Sequence, residues 1–168
     1  MRKFILFTLV ALVVSKAGFA QHDGKLKITV GPELGFATGN FSNNYSVSYG
    51  GTGQVEIALQ ENLRGTATSG IIFYNGKSLG NGVKNTGINI IPLRIGGKYY
   101  FTAGIYGAFQ AGVGFLNKGL GTAFAFSPQV GYEFISKGDR GLDLTFKYDG
   151  YAKSGTIGGL AVRLAITL

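Results

Sequence analysis

The sequence lacks cysteine and has a single histidine, His22. Without cysteine there is no thiol nucleophile, and no disulfide can hold an exported fold together. His22 lies next to the mature N-terminus expected below, so Ser-His, Asp-His and histidine-metal arrangements are missing. The Gly-x-Gly spacing at Gly112–Gly114 falls inside an expected strand, where it does not form a phosphate loop. We therefore expect no catalytic residues, no cofactor and no metal, and we predict that the protein is not an enzyme.

Long hydrophobic runs are also missing, apart from one at the N-terminus. There, two basic residues precede an apolar run from Phe4 to Val14, and small residues follow it at 18–20. This is the pattern of a secretory signal, and the run is too short to span a bilayer comfortably. We expect residues 1–20 to be a cleaved signal peptide and residues 21–168 to form one domain. Slightly earlier cleavage, after Ala17, and an uncleaved anchor are the alternatives.

Acidic residues are scarce: 16 Lys and Arg face 8 Asp and Glu, for a net charge of +8. Loss of Arg2, Lys3 and Lys16 with the signal leaves about +5. The cations are dispersed instead of forming a patch, so nucleic acid is not expected as a partner. Glycine is abundant, with 29 residues. Together with many aromatics and few charges, this composition does not suit a disordered chain.

Short segments in which apolar residues alternate with small or polar ones fill the mature chain. A period of two predicts β-strands. The clearest segment is the last, where Leu160, Val162 and Leu164 share one face with Ile166 and Leu168. Eight strands are expected, at about 25–37, 49–61, 66–74, 86–101, 105–115, 122–134, 141–149 and 158–168. Proline cannot donate to a strand ladder, so a β-bulge is predicted near Pro92.

The expected connections after the first and third strands are long and polar, whereas those after the second and fourth are short. With an even number of strands, the long connections share one end, as in outer-membrane barrels. The fold class predicted is an all-β, eight-stranded antiparallel up-and-down transmembrane β-barrel with both termini in the periplasm. In this arrangement the last strand pairs with the first and removes both sheet edges.

The composition of the two strand faces predicts which one points inwards. The apolar face is almost uninterrupted, whereas the other carries mainly Gly, Ala, Thr and Ser with isolated charges, which suits a crowded lumen. Aromatics are expected in two belts at the membrane interfaces. The belt residues are Tyr99, Phe101, Tyr132 and Phe134 at the short-turn end, and Phe36, Phe73, Phe115, Phe124, Tyr148 and Tyr151 at the long-loop end. A soluble exported ligand-binding barrel with its apolar face inside is an alternative.

Two stretches carry a family resemblance. Residues 89–94 (Asn-Ile-Ile-Pro-Leu-Arg) with 97–101 (Gly-Lys-Tyr-Tyr-Phe) resemble the "IPL…KYYF" stretch of the small outer-membrane barrels common in Bacteroidota, often called porin-family proteins. Residues 104–115 resemble the strand that follows in that family. The resemblance implies an OmpA- or OmpX-like outer-membrane barrel domain. Barrels of this class often end in Phe, and Leu168 departs from that.

Several charges lie on the face predicted to line the lumen. They are Glu33, Glu56, Arg94, Lys147 and Arg163 near mid-depth, with Glu133, Asp143 and Lys98 closer to the short-turn end. Because an eight-stranded barrel is filled by its own side chains, these charges must pair. We expect a salt-bridged plug in which Glu33 and Arg163, on adjoining strands, are partners. The alternative is a narrow porin-like channel for small solutes, with lumen glycines leaving the room.

Four lysines are expected on the outer loops: Lys77, Lys84, Lys118 and Lys153. They suit the phosphates of lipopolysaccharide, although ordinary solvated lysines are an equal alternative. Loop one, Thr38 to Gly50, carries Phe41 and Tyr45 and is the best candidate for contact with an outside partner.

The last strand also resembles the signal read by the barrel-assembly machinery, in the residues Gly159, Leu160, Val162, Leu164, Ile166 and Leu168. Loss of residues 166–168 is expected to abolish insertion. The expected partners are this machinery and outer-membrane lipid with lipopolysaccharide, and the expected state is a monomer. The predicted role is structural or interactive, in envelope integrity or surface contact.

Overall fold

The structure is a computed structural model that describes residues 26–78, 85–117, 119–135, 141–153 and 155–168. It contains eight strands: β1 (Leu26–Thr38), β2 (Tyr45–Gln60), β3 (Leu63–Gly76), β4 (Ile88–Tyr100), β5 (Ile105–Leu116), β6 (Gly121–Ile135), β7 (Gly141–Ala152) and β8 (Thr156–Thr167). Each strand pairs antiparallel with the next, and β8 pairs with β1 to close the barrel. The predicted fold class is confirmed. The expected signal peptide lies outside the described residues.

The barrel has two different ends, named here for use below. The turn end holds the first residue of β1, Leu26, the last residue of β8, Thr167, and the β2–β3, β4–β5 and β6–β7 connections. The loop end holds the other four connections, β1–β2, β3–β4, β5–β6 and β7–β8. At the loop end, a short 3₁₀ helix, Gly39–Asn43, joins β1 to β2. The largest differences from the predicted bounds at this end are in β2, which begins at Tyr45 instead of Tyr49, and in β7, which continues to Ala152 instead of Asp149.

Alternating side chains divide between a buried lumen and an exposed outer face. The outer face is apolar: the exposed fractions of Leu34, Ile95 and Phe101 are 64%, 69% and 67%. An apolar belt around the whole barrel is the surface that a transmembrane barrel presents to lipid. Among the described residues, no helix has the length and hydropathy to cross a membrane.

Most of the expected belt aromatics lie on the outer face. Tyr99, Phe101, Tyr132 and Phe134 are exposed at the turn end, and Phe36, Phe115 and Phe124 towards the loop end, while Phe73 and Tyr148 are half-buried. Tyr151 is an exception, because it is fully buried inside the lumen. The sequence-based placement of Tyr151 was wrong because β7 continues in phase past the strand end expected at Asp149.

The predicted bulge near Pro92 is also wrong. Leu93 pairs with Ser69 and Ile90 with Ile72 in one unchanged register, and Pro92 itself pairs with Gly114. The apolar-polar alternation of the sequence changes near Pro92 for another reason. The lumen lining becomes apolar towards the loop end, so Ile88 and Ile90 point inwards on the same face as Arg94. The register shifts that the described strands do show lie in β2, near its two ends.

Glycines on the inner face let neighbouring strands come very close. A Cβ on Gly31, Gly96 or Gly112 would lie 2.0–2.1 Å from a main-chain oxygen of the adjoining strand. No side chain fits at such a distance, so these positions require glycine. The backbone of the adjoining strand therefore occupies the place that a side chain would take at each of these positions.

A valine at Gly31 should prevent closure of the barrel. Its Cβ would collide with the Leu164 carbonyl on β8, and overpacking of this kind costs about 1–3 kcal/mol or more. Gly53→Val is the matched control, because Gly53 has nothing within 4 Å of its Cβ position. In detergent refolding followed by unheated gel migration, Gly31→Val should lose the folded band while Gly53→Val keeps it. Equal folded fractions would contradict this account of the β1–β8 seam.

Candidate functional site: the lumen and the loop end

A cluster of four charged side chains crosses the middle of the lumen. Lys147 on β7 contacts Glu33 on β1, with Nζ 2.6 Å from Oε2, and Asp149, with Nζ 3.1 Å from Oδ2. Arg94 on β4 forms an ion pair with the same Asp149, which also accepts a 2.8 Å hydrogen bond from Ser127. All four charged residues are buried. The cluster thus ties β1, β4 and β7 together across the barrel.

Arg163 does not pair with Glu33, although the two face each other across the β1–β8 seam. Its guanidinium instead donates to the hydroxyls of Thr52, at 2.9 Å, and Thr29, at 3.0 Å. Thr52 in turn donates to Glu33 Oε2 at 3.0 Å. The predicted pair was wrong because long side chains in a closed barrel also reach across the lumen, where Lys147 approaches Glu33 directly.

A second cluster surrounds Lys98 nearer the turn end. Its ammonium lies 3.0 Å from Glu56 Oε1, 2.9 Å from Asp143 Oδ2 and 3.7 Å from Glu133 Oε2. Lys27 pairs with Glu133 from the other side. Tyr106 donates a 2.7 Å hydrogen bond to Asp143, and its ring centroid lies 3.9 Å from Lys98 Nζ. One lysine therefore bridges carboxylates from β2, β6 and β7, and Lys27 adds a second positive charge to the cluster.

Amide side chains join the two clusters. Gln54 donates to Glu56 at 2.8 Å, Gln110 donates to Gln54 at 3.1 Å, and Gln129 donates to Gln110 at 3.1 Å. Gln129 also donates to Ser127 at 3.2 Å, and Ser127 donates to Asp149 of the mid-lumen cluster. A continuous chain of hydrogen bonds thus runs from the Lys98 cluster to the Arg94 cluster.

The described charges of the two clusters come close to balance. The acids are Glu33, Glu56, Glu133, Asp143 and Asp149, and the bases are Lys27, Arg94, Lys98, Lys147 and Arg163. Arg64, half-buried opposite Lys98 at the turn end, is a sixth base on the inner face. Near-balance is what a low-dielectric interior requires, since an isolated charge there is very costly. The sequence-predicted set omitted Lys27, Asp149 and the glutamines. Asp149 could have been predicted, because it lies an even number of residues from Asp143 and Lys147 on β7 and so faces the lumen with them.

An apolar layer lies above the charges, at the loop end. It consists of Ala37, Phe41, Ile72, Tyr74, Ile88, Ile90, Ala123, Ala125 and Tyr151. Phe41 enters this layer from the 3₁₀ helix and packs against Tyr45 and Tyr74, with ring centroids 4.5 Å and 5.0 Å apart. The ring of Phe41 is therefore buried in the mouth of the barrel, while contact of loop one with an outside partner stays a prediction. Sequence reasoning missed this layer. The pattern that could have predicted it is the presence of isoleucines at inward-facing positions of β3 and β4.

The predicted rim lysines lie in the expected region where they are described. Lys77 and Lys153 are exposed at the loop end, and Lys84 and Lys118 lie outside the described residues. On β8, the residues predicted as the assembly signal face outwards and are exposed, from Leu160 through Val162, Leu164 and Ile166 to Leu168. Gly159 is buried, with a Cβ position 2.6 Å from the Phe36 carbonyl. In the described part of the chain, no group of three or more His, Cys, Asp or Glu could hold a metal.

Comparison with known proteins places the fold among small membrane barrels. No protein-family model matches, and no curated protein matches. Neisserial surface protein A matches over 85% of this chain and 96% of its own, with 9% identity and a TM-score of 0.58. Ail, the attachment invasion locus protein of Yersinia pestis, matches over 86% and 98%, with 10% identity and a TM-score of 0.54, in a complex with the heparin analogue sucrose octasulfate. A de novo designed transmembrane β-barrel matches over 84% and 95%, with 14% identity and a TM-score of 0.51.

Removal of the Asp149 charge should destabilise the barrel strongly. Asp149→Asn keeps the shape of the side chain but leaves Arg94 and Lys147 short of a counter-charge, at a cost of about 3–5 kcal/mol. Glu61→Gln removes the same charge from an exposed turn and is the control. Urea titration in lipid vesicles should show the loss of unfolding free energy only for Asp149→Asn. Similar values for both variants would show that the pairing in the lumen contributes little.

Proposed function

We propose that this protein is an integral outer-membrane β-barrel with a structural or interaction role and a lumen closed by its own side chains. Its fold matches transmembrane barrels whose names identify a neisserial surface protein and a Yersinia attachment protein. The apolar outer face supports a place in the bilayer and argues against the soluble ligand-binding barrel. In this proposal the protein is exported by residues 1–20, is not an enzyme, acts as a monomer, and belongs to the porin-family barrels of Bacteroidota type.

The observation that carries the proposal is a series of large side chains buried along the lumen. Lys98, Gln110, Arg94 and Tyr151 are each 0% exposed, and they follow one another in this order from the turn end to the loop end. Each contacts side chains from other strands, so no aqueous path separates them from the wall. This favours a plugged barrel over a porin, in which polar side chains line a wet channel.

The second candidate, a narrow channel, is favoured by one observation. Glu33 Oε1, Glu56 Oε2 and two Arg94 nitrogens, Nε and Nη2, have no hydrogen-bond partner among the described residues. Buried polar atoms of this kind are usually satisfied by internal water. A line of such waters would give a path for small solutes only if the clusters opened, and the interlocked pairs oppose that.

The loop end, which in this topology faces outwards, is proposed as the contact surface. Lys77 and Lys153, with Lys84 and Lys118 placed there by sequence, would attract the phosphates of lipopolysaccharide. The Ail complex with sucrose octasulfate shows a polyanion on a barrel of this fold. We also propose that the barrel-assembly machinery recognises the exposed apolar side chains of β8 as the signal for insertion.

Conductance in planar bilayers tests the plug. The wild-type protein should produce no current steps, because its lumen is filled. The double variant Arg94→Ala/Tyr151→Ala removes the largest fully buried side chains of two successive layers and should produce intermittent steps. Phe124→Ala/Leu160→Ala, on the lipid face, is the matched control and should stay silent. Steady ohmic current through the wild type would instead establish the channel.

Binding of lipid A tests the rim. The quadruple Lys→Gln variant at positions 77, 84, 118 and 153 should bind lipid A vesicles several-fold more weakly at low salt, since each exposed pair contributes about 0.2–1 kcal/mol. Lys137→Gln/Arg140→Gln, in the β6–β7 connection at the opposite end, is the control. Undiminished binding by the quadruple variant would leave the four lysines as ordinary solvated residues.

A further inference from the structure

A cavity of about 620 Å³ opens at the loop end, inside the mouth of the barrel. We name it the mouth cavity; its apolar walls are Phe41, Ile88, Leu116, Leu120, Ala123 and Ile157. Its size and lining are typical of a site for a small molecule, which ranges over about 300–1,000 Å³. Polar residues, namely Asn40, Asn44, Tyr45 and Thr156, also line the cavity and complete its wall beside the apolar ones.

The floor of the mouth cavity is closed. Tyr151 lines its base and is 0% exposed, and Arg94, Asp149 and Lys147 form their ion pairs deeper in the lumen. Phe41 fixes one wall, since its ring packs on Tyr74. A molecule that enters from the loop end therefore stops at Tyr151, and the cavity is a dead-end binding site instead of the start of a passage.

The charge at the mouth cavity has one sign. Lys153 is the single ionisable cation among its described lining residues, which include no Asp or Glu. Its ammonium donates to the Leu120 carbonyl and is otherwise exposed at the edge of the apolar walls. An apolar body beside one exposed cation is the complement of an amphiphile with an alkyl chain and an anionic head.

We propose that the mouth cavity binds a free single-chain anionic amphiphile of the fatty-acid class, with the alkyl chain on Ile88, Leu116 and Ala123 and the head group beside Lys153. The occupant comes from the outer medium, because the cavity lies inside the barrel and opens at its loop end. This site shares Lys153 with the lipopolysaccharide contact proposed above, but it lies inside the mouth and takes an alkyl chain, whereas that contact involves phosphates and the outer rim. It also needs no open lumen.

Photocrosslinking with a diazirine-labelled decanoic acid tests the site on the folded protein in lipid nanodiscs. Mass spectrometry should map saturable labelling to the β5–β6 and 3₁₀ segments that line the cavity, and unlabelled decanoate should displace it. Ala123→Phe fills the cavity and should reduce this labelling at least tenfold. Thr122→Phe adds the same ring on the opposite face of β6 and should leave it unchanged.

Two further variants keep the test decisive if Ala123→Phe folds poorly. Leu120→Asp alters an exposed residue at the edge, offers Lys153 a carboxylate and should also abolish the labelling. Lys153→Gln should weaken displacement by decanoate about two- to fivefold, as expected for an exposed ion pair, without changing displacement by decanol. Labelling confined to outward residues such as Phe124, or equal in Ala123→Phe and Thr122→Phe, would overturn the proposal. Displacement by lipid A but not by decanoate would also overturn it, in favour of a lipid acyl chain.

Discussion

Pairing of charges inside a narrow lumen is the constraint on which the rest of this structure depends. The interior of an eight-stranded barrel is just wide enough for its own side chains, so a charge on the inner face must find its partner among the other inner residues. The partners come from different strands: Lys98 on β4 contacts acids on β2, β6 and β7. Each ion pair therefore also connects different walls of the barrel. Because the apolar outer face is exposed, these contacts across the lumen supply the tertiary structure that a soluble protein draws from its hydrophobic core.

Braces of this length require space, and glycine provides it. Arg94 and Lys98 extend into the lumen on either side of Gly96, whose Cβ position is blocked by the β5 backbone. Small residues allow adjoining strands to approach and curve, and the volume they leave is taken by arginine, lysine and glutamine from elsewhere. The abundance of glycine and the buried charges are thus parts of the same packing arrangement.

The alternation of residues was sufficient to predict the eight strands, their closure and the direction of each face, because a period of two is a local property. The partners of the lumen charges were not predictable in the same way. Glu33 and Arg163 are neighbours along the seam, yet Lys147 reaches Glu33 across the lumen, and such distances depend on the stagger of the closed barrel. The burial of Phe41 was not predictable for a related reason: a polar-looking loop gave no sign that one ring folds back into the mouth.

The division of the lumen into a charged part and an apolar part decides where this protein can interact with other molecules. The charged part is fully used for stability, since its large side chains are buried and interlocked. Structural neighbours at 9–14% identity keep the barrel, which shows that alternation and closure, rather than particular residues, specify the fold. The residues that distinguish one such barrel from another must then lie beyond the point where the cross-lumen ion pairs end. In this chain that boundary is Tyr151: the Arg94–Asp149–Lys147 cluster lies towards the turn end, and towards the loop end lie the apolar walls, with Lys153 as the one cation among the described lining residues.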